Sequence, residues 1–312
     1  MDKFLIFATL HLNPKDMFET AIENVLKFTR PLHTISRTYA GLISPGTSTF
    51  FFVNDSGVAI TCKHVLNLIL AADDINKGFM KFKMDRDKLP KDNRFKRNLQ
   101  GLEIKYKYNK ETTVQVKNNF LNCFDKIDRV DCHAHPHLDL AILEFKGFDK
   151  IFYSSYATFI RNSGNLKQGK YLCRIGFPFP EFNNFRHNPE TDDIEWTNTG
   201  NPNSPSFPLD GIVTRFVAAQ SPADIVGIEM STPGLRGQSG GPLFDTDGKI
   251  YGMQSATNHF HLGFDMRDKE IIYDGKKSKI SNHPFLHVGI CVHVDKIKTF
   301  LAEHKIDFKE SD

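Results

Sequence analysis

No apolar run in the chain reaches the ~20 residues that a membrane-spanning helix needs, which excludes a helical integral membrane protein. The short apolar start at Met1 to Ala8 is cut off by His11 and by Asn13 and Pro14, with no small-residue cleavage site behind it. A secretory signal is therefore not expected. Cysteine is scarce and odd in number, five in all, with no CxxC spacing. That composition argues against a disulfide scaffold and for reduced thiols in a cytoplasmic protein. Net charge is only +3, so nucleic-acid binding through the overall field is unsupported. Internal repeats are missing too. Tryptophan occurs once, but phenylalanine 28 times. In a chain of 312 residues, long enough for two lobes with their own cores, so many aromatics are expected to fill strands and barrels rather than form a binding stripe.

What is present concentrates at residues 237 to 242, Gly-Gln-Ser-Gly-Gly-Pro. Glycines on both sides of Ser239 let the backbone turn where a Cβ would obstruct it, so the amides of Gly237 and Ser239 could converge on a developing oxyanion. Taken alone, the same residues also read as an ordinary Gly/Pro turn between strands. A serine nucleophile needs an imidazole to take its proton and a carboxylate to orient that imidazole. Of 13 histidines, His64 stands apart. It follows two β-rich runs, 46 to 53 and 58 to 65, joined by an Asn-Asp-Ser-Gly turn that predicts a hairpin. Asp139 opens the apolar run Leu140 to Phe145, which predicts a buried strand, although an acid at that place also serves as a turn or cap residue.

The order His64, Asp139, Ser239 adds information that the separate residues do not carry. It is the order of the chymotrypsin arrangement, not of subtilisins or α/β-hydrolases. From about Gly41 to Leu301 the chain resembles a trypsin-like serine peptidase, nearest in style to the bacterial HtrA/Deg-type domains. The likeness is carried by Gly46-Thr47 before Phe50-Phe51-Phe52, Ile60-Thr61 before His64-Val65, Asp139-Leu140-Ala141-Ile142-Leu143, Ile175-Gly176-Phe177-Pro178, Gly211-Ile212-Val213 and the serine motif with its return at Asp247 to Gly252. The resemblance implies an all-β fold of two antiparallel six-stranded barrels with an N-terminal and a C-terminal helix. It also implies a Ser239, His64, Asp139 triad, an oxyanion hole at Gly237 and Ser239, a protein or peptide substrate, and neither a cofactor nor a metal.

Departures from that pattern carry expectations of their own. Gln238 replaces the aspartate that pairs with a new N-terminus in trypsin-type zymogens, so activation by N-terminal insertion is not expected. Val65 stands where the secreted branch has a cysteine. Pro233 replaces the acid that selects Lys or Arg, which removes the support for a basic preference. The strand Gly252 to Thr257 is expected to flank the substrate as an added strand. With Pro233, its residues Gln254, Ser255, Ala256 and Thr257 would shape a pocket for a small or apolar side chain, or for a polar one if Gln254 reaches in.

The expected organisation is a helical extension at 1–40, a first barrel at 41–150, and a second barrel at 151–312 with a closing helix near Val294 to His304. No PDZ-like module has room after it. The extension predicts a helix capped by Asn13 and Pro14, with Met17, Ile22, Val25, Leu26 and Phe28 on one face, ended at Pro31. Residues 73–130 carry fifteen Lys and Arg against nine Asp and Glu, which predicts a solvated basic insertion and the one segment offering a nucleic-acid site. Residues 181–208 and 258–283 read as long loops bordering the cleft, fit to gate it or to receive a regulatory partner. Cys132, His133, His135 and His137, with His259 and His261 as a second group, resemble metal ligands, but a definite fourth ligand is missing and a surface role is expected. A catalytically silent trypsin-fold module that binds protein or nucleic acid is the alternative to a peptidase.

Overall fold

The structure is a computed structural model and describes residues 18–312. Its first half consists of α1 (Glu19–Leu26), β1 (Thr29–Thr38), β2 (Ile43–Phe52), β3 (Val58–Thr61), α2 (Lys63–Asp87), α3 (Phe95–Tyr106), β4 (Thr113–Phe120), β5 (Arg129–Ala134) and β6 (Ala141–Lys146). The six strands form one antiparallel sheet in the order β4-β1-β2-β3-β6-β5, curled but with β4 and β5 left as edges. Every residue of β3 is buried, as for a strand covered on both faces. Phenylalanines fill the centre: Phe50, Phe51, Phe52 and Phe145 are all at most 1% exposed. Their rings meet edge-on or tilted, as with Phe120 on Phe145 at 4.9 Å between centroids, the geometry aromatic quadrupoles prefer.

The second half contains β7 (Thr158–Ile160), β8 (Tyr171–Gly176), β9 (Phe185–Asn188), β10 (Asp193–Trp196), β11 (Phe207–Ala218), β12 (Ile225–Met230), β13 (Pro242–Phe244), β14 (Ile250–His261), β15 (Met266–Tyr273), β16 (Lys276–Asn282), β17 (Phe285–His293), α4 (Val294–Glu303) and β18 (Lys309–Ser311). Six strands in the order β13-β8-β11-β12-β17-β14 close on themselves through β13–β14, and β7 and β18 extend the sheet beyond β14. The two-barrel, chymotrypsin-like expectation holds, with the second barrel closed and the first open along one side. The closing helix α4 lies where the sequence places it, with Val294, Ile297, Phe300 and Leu301 buried. Among the described residues no helix is long and apolar enough to cross a membrane.

Four expectations change. The Asn13 and Pro14 cap lies outside the described residues, and α1 ends at Leu26, so the described part of the segment up to 40 is helical only over Glu19–Leu26 and contributes β1 to the sheet. Pro31 sits inside β1 opposite Thr49, whereas pairing with β4 begins only at Leu32, so its missing N–H interrupts no bond on that side. Residues 73–130 are not a structureless insertion: α2 and α3 bury Phe79, Phe82 and Leu102 with Val114 of β4 in a small second core. The stretch 181–208 holds the β9–β10 hairpin, whose Ile194 packs with Phe182 and with Ile35 of β1. Asp192 at its tip pairs with Arg37 at 2.7 Å and with Arg86 near the end of α2 at 3.1 Å. Residues 258–283 prolong β14 and β17 into a protruding arm, His261 opposite Phe285, followed by the β15–β16 hairpin.

Candidate active site

Register places the first two site residues. β3 and β6 run antiparallel with Thr61 opposite Ala141, so the residues just after β3 lie beside those just before β6. Cys62 is still extended (φ −75°, ψ 146°) and α2 begins at the next residue, which leaves His64 in the first turn of a helix at the sheet rim. Asp139 meets it there. Nδ1 of His64 lies 3.0 and 2.8 Å from the two carboxylate oxygens, and the His64 backbone N–H donates to Oδ1 at 2.9 Å. A free N–H at a helix start also favours a negative charge beside it.

A third donor comes from the other half of the molecule, the Ser255 hydroxyl of β14, 2.6 Å from Asp139 Oδ2. Burial opposes the charge on Asp139, but the hydrogen bonds from His64 and Ser255 outweigh it and hold the carboxyl at about 2. Sequence reasoning placed Ser255 on the substrate wall only. The signal that it also steadies Asp139 would have been a small hydroxyl residue on the strand facing the Asp139 motif, which the chain alone does not pair.

Ser239 lies in the loop between β12 and β13. Gly237 and Gly240 both have positive φ, 89° and 88°. A Cβ on Gly240 would stand 2.0 Å from the Thr49 carbonyl oxygen, and one on Gly237 would stand 2.4 Å from that of Phe177, so the loop is pressed against backbone on both sides. Gln238 is fully buried, its Oε1 accepting from Leu235 N–H and its Nε2 donating to the Phe207 carbonyl, both at 3.0 Å. It is locked as a neutral amide. The backbone N–H groups of Gly237 and Ser239 donate to no acceptor among the described residues, whereas those of Gln238, Gly240 and Gly241 all do. Ser239 Oγ donates to the Ser255 carbonyl at 3.4 Å, and no hydrogen bond joins it to His64 among the described residues.

Thr49 of β2, which the sequence did not single out, holds this loop from the first half. Its hydroxyl donates to the Gly237 carbonyl at 2.6 Å and accepts from Phe177 N–H at 3.2 Å, and its N–H donates to the Ser239 carbonyl at 3.0 Å. Thr49→Val keeps the shape but leaves a buried carbonyl and N–H without partners, a cost of about 1–3 kcal/mol. A lowered urea midpoint at unchanged m-value, with a weaker serine-probe reaction, is the expected outcome; an unchanged midpoint would show that the clamp contributes nothing.

Beside Ser239 lies a cavity of about 540 Å³. Pro233, Gln254, Ser255, Ala256 and Thr257 all line it, so the structure brings the expected substrate-side residues together with the serine. Thr257 ties down its rim, its hydroxyl accepting from Gly234 N–H at 2.9 Å and donating to the Gly234 carbonyl at 2.8 Å. Gln254 does not reach freely into it, because Oε1 accepts from Arg174 at 2.7 Å and Nε2 donates to the Ala256 carbonyl at 2.7 Å.

Among the described residues two donor clusters are close enough to bear on metal binding. Cys62 lies against His64 and Asp139, its thiol donates to the Gln254 carbonyl, and burial first and Asp139 second push its pKa well up. The run from Cys132 to His137 does not gather: His133 Nε2 faces Glu144 at 2.8 Å, while His135 Nδ1 accepts from the amides of His137 and Leu138. His261 instead meets Asp265 and His283. Nδ1 of His261 accepts from Gly263 N–H, which puts its proton on the Nε2 that faces Asp265 and leaves no lone pair there for an ion.

Two six-stranded antiparallel arrays, the second closed and extended by parallel β7 and β18, meet at a His–Asp pair and a glycine-framed serine in a chymotrypsin-like fold. The chain belongs to the trypsin-like peptidase domain family, whose model matches residues 46–253. A comparison with curated proteins finds no match. Two solved structures of the HtrA-type protease AlgW with tripeptide, one a point variant, are similar at 12% identity with TM-scores of 0.47 and 0.45. Each likeness covers 93% of this chain, which spans only 64% and 65% of those longer chains.

Proposed function

We propose that the protein is a serine endopeptidase in which Ser239 attacks the substrate carbonyl, His64 takes its proton and Asp139 orients His64. The observation that carries this reading is the convergence at Ser255: its hydroxyl donates to Asp139, which in turn holds His64 Nδ1, and its carbonyl lies 3.4 Å from Ser239 Oγ. Nucleophile, orienting carboxylate and base are thus linked through one residue. Turning the Ser239 hydroxyl from the Ser255 carbonyl toward His64 Nε2 prepares attack. As the tetrahedral intermediate forms, its oxyanion accepts from the Gly237 and Ser239 amides, which have no other acceptor among the described residues. His64 then returns the proton to the leaving amine, and water, activated in the same way, releases the acyl group. Protein substrates follow from the family. The five free thiols support a reducing, cytoplasmic setting.

One observation favours the alternative of a silent binding module, namely that Ser239 Oγ rests on Ser255 rather than on His64. A fluorophosphonate probe separates the two. Covalent labelling of the full chain that maps to Ser239 and vanishes in Ser239→Ala is expected. Silence with and without candidate substrate proteins would leave the binding module as the better reading.

A further inference from the structure

The cavity beside Ser239 is lined by Arg236, His259 and His287, and by no carboxylate. Arg236 is exposed and forms no ion pair with any described residue. The two histidines face each other across β14 and β17 with Nδ1 to Nδ1 at 2.6 Å. One Nδ1 must donate and the other accept, and the histidine that accepts must carry its proton on Nε2. The pair therefore retains at least one Nε2–H donor in either arrangement.

Behind this wall lies Arg174 of β8, 0% exposed. Its guanidinium has no carboxylate partner among the described residues: Nη1 donates to Gln254, and Nη2 to the Thr232 carbonyl and hydroxyl and the Pro233 carbonyl, while Nε has none. The close approach is purposeful in its packing, since a Cβ on Gly289 would stand 1.8 Å from Nη1. A buried cation paired only with neutral acceptors is a costly arrangement, one that an anion brought close to it would relieve. Gln254 and Pro233, both directly bonded to Arg174, are themselves part of the cavity wall.

We propose that this cavity selects substrates with Asp or Glu before the scissile bond, an inference that rests on the serine-peptidase reading for the direction of the peptide. The carboxylate is received by Arg236 and the His259–His287 pair, and the charge of Arg174 behind Gln254 and Pro233 makes the cavity favourable to an anion. An acidic side chain is proposed in place of the small or apolar one, or the polar one admitted by Gln254, expected from the sequence of Pro233 and residues 254–257. Lys or Arg is disfavoured by like charge. Gln fits by shape but lacks the charge that the site answers.

Binding tests this without turnover. Product-type peptides identical except for a last residue of Glu, Asp, Gln, Leu or Lys are titrated into the full-length Ser239→Ala protein by calorimetry. Their terminal carboxylates are common to all, so differences report the side chain. The Glu or Asp peptide is expected to bind about tenfold or more tighter than the Gln peptide, and less so at high salt. Arg236→Glu, a change on an exposed side chain, is expected to weaken the Glu peptide about tenfold and to favour the Lys peptide. Equal binding across the series, no binding of any member, tightest binding of the Leu or Lys peptide, or an Arg236→Glu protein with the wild-type ranking would each overturn the proposal. Because the assay needs no catalysis, an acidic preference in a protein that fluorophosphonate never labels would condemn the peptidase reading alone. A labelled Ser239 with an apolar preference would condemn only this one.

Discussion

Replacing Ser239 by alanine is expected to lower kcat/KM on a protein substrate by about 10⁵-fold or more while leaving the fold unchanged. The size follows from the chemistry: without Oγ no acyl-enzyme forms, and only binding and the two free amides remain to favour the transition state. The unchanged fold follows from the contacts. The hydroxyl makes a single long hydrogen bond, 3.4 Å to the Ser255 carbonyl, whereas the loop is held by its backbone through Thr49 and by buried Gln238. Mass spectrometry of lysate proteins incubated with wild type and with Ser239→Ala measures the first expectation, and thermal midpoints the second. Cleavage products common to both proteins would place the activity elsewhere.

Asp139→Asn is the second large effect, about 10⁴-fold in kcat. Three donors converge on this carboxylate, from His64 Nδ1, the His64 backbone and Ser255 Oγ. A carboxylate accepts from all of them. Asparagine offers one oxygen and an NH₂, and when the NH₂ faces Nδ1 the imidazole proton moves to Nε2, where the base must be able to accept. Binding of product peptides is expected to survive, so kcat falls far more than KM rises. The same substitution changes the response to acid. Asp139 titrates at about 2 when folded, below the ordinary carboxylate value of ~3.9. Its stabilising contribution is therefore fully present above about pH 4 and lost as pH falls toward 2. Urea midpoints at pH 5 and pH 3 should differ more for wild type than for Asp139→Asn; identical differences would show that Asp139 is not held by its partners.

Ser239, His64 and Asp139 could be picked out as candidates because each stands beside residues with a local meaning: glycines that permit a turn, a hairpin that ends at a rim, an apolar run that must be buried. The helix α2 was not legible. Phe79 and Phe82 bury a narrow seam among lysines and aspartates, and the charges dominate any reading by composition. The β9–β10 hairpin escaped for a related reason, since Phe182 and Ile194 are far apart in a polar stretch and only the neighbourhood of Ile35 gives them a core. Thr49 and Arg174 lie deeper still. The hydroxyl of Thr49 acts on the carbonyl of Gly237, and the guanidinium of Arg174 on Gln254, partners that only the closed fold supplies. Pro31, taken as a stop, is tolerated inside β1 because the ladder on one side has not yet begun.

The clamp from Thr49 and the bond from Ser255 to Asp139 run in opposite directions between the halves. During synthesis the chain emerges from its N-terminus, so His64 and Asp139 are made first, before Ser255 exists to steady them, and Ser239 follows on a loop held partly by Thr49 of an already formed β2 and partly by its own Gln238. On the proposed mechanism neither portion is chemically armed by itself: competence would arrive with the docking of the halves, so that completion of folding is the event that switches on the serine.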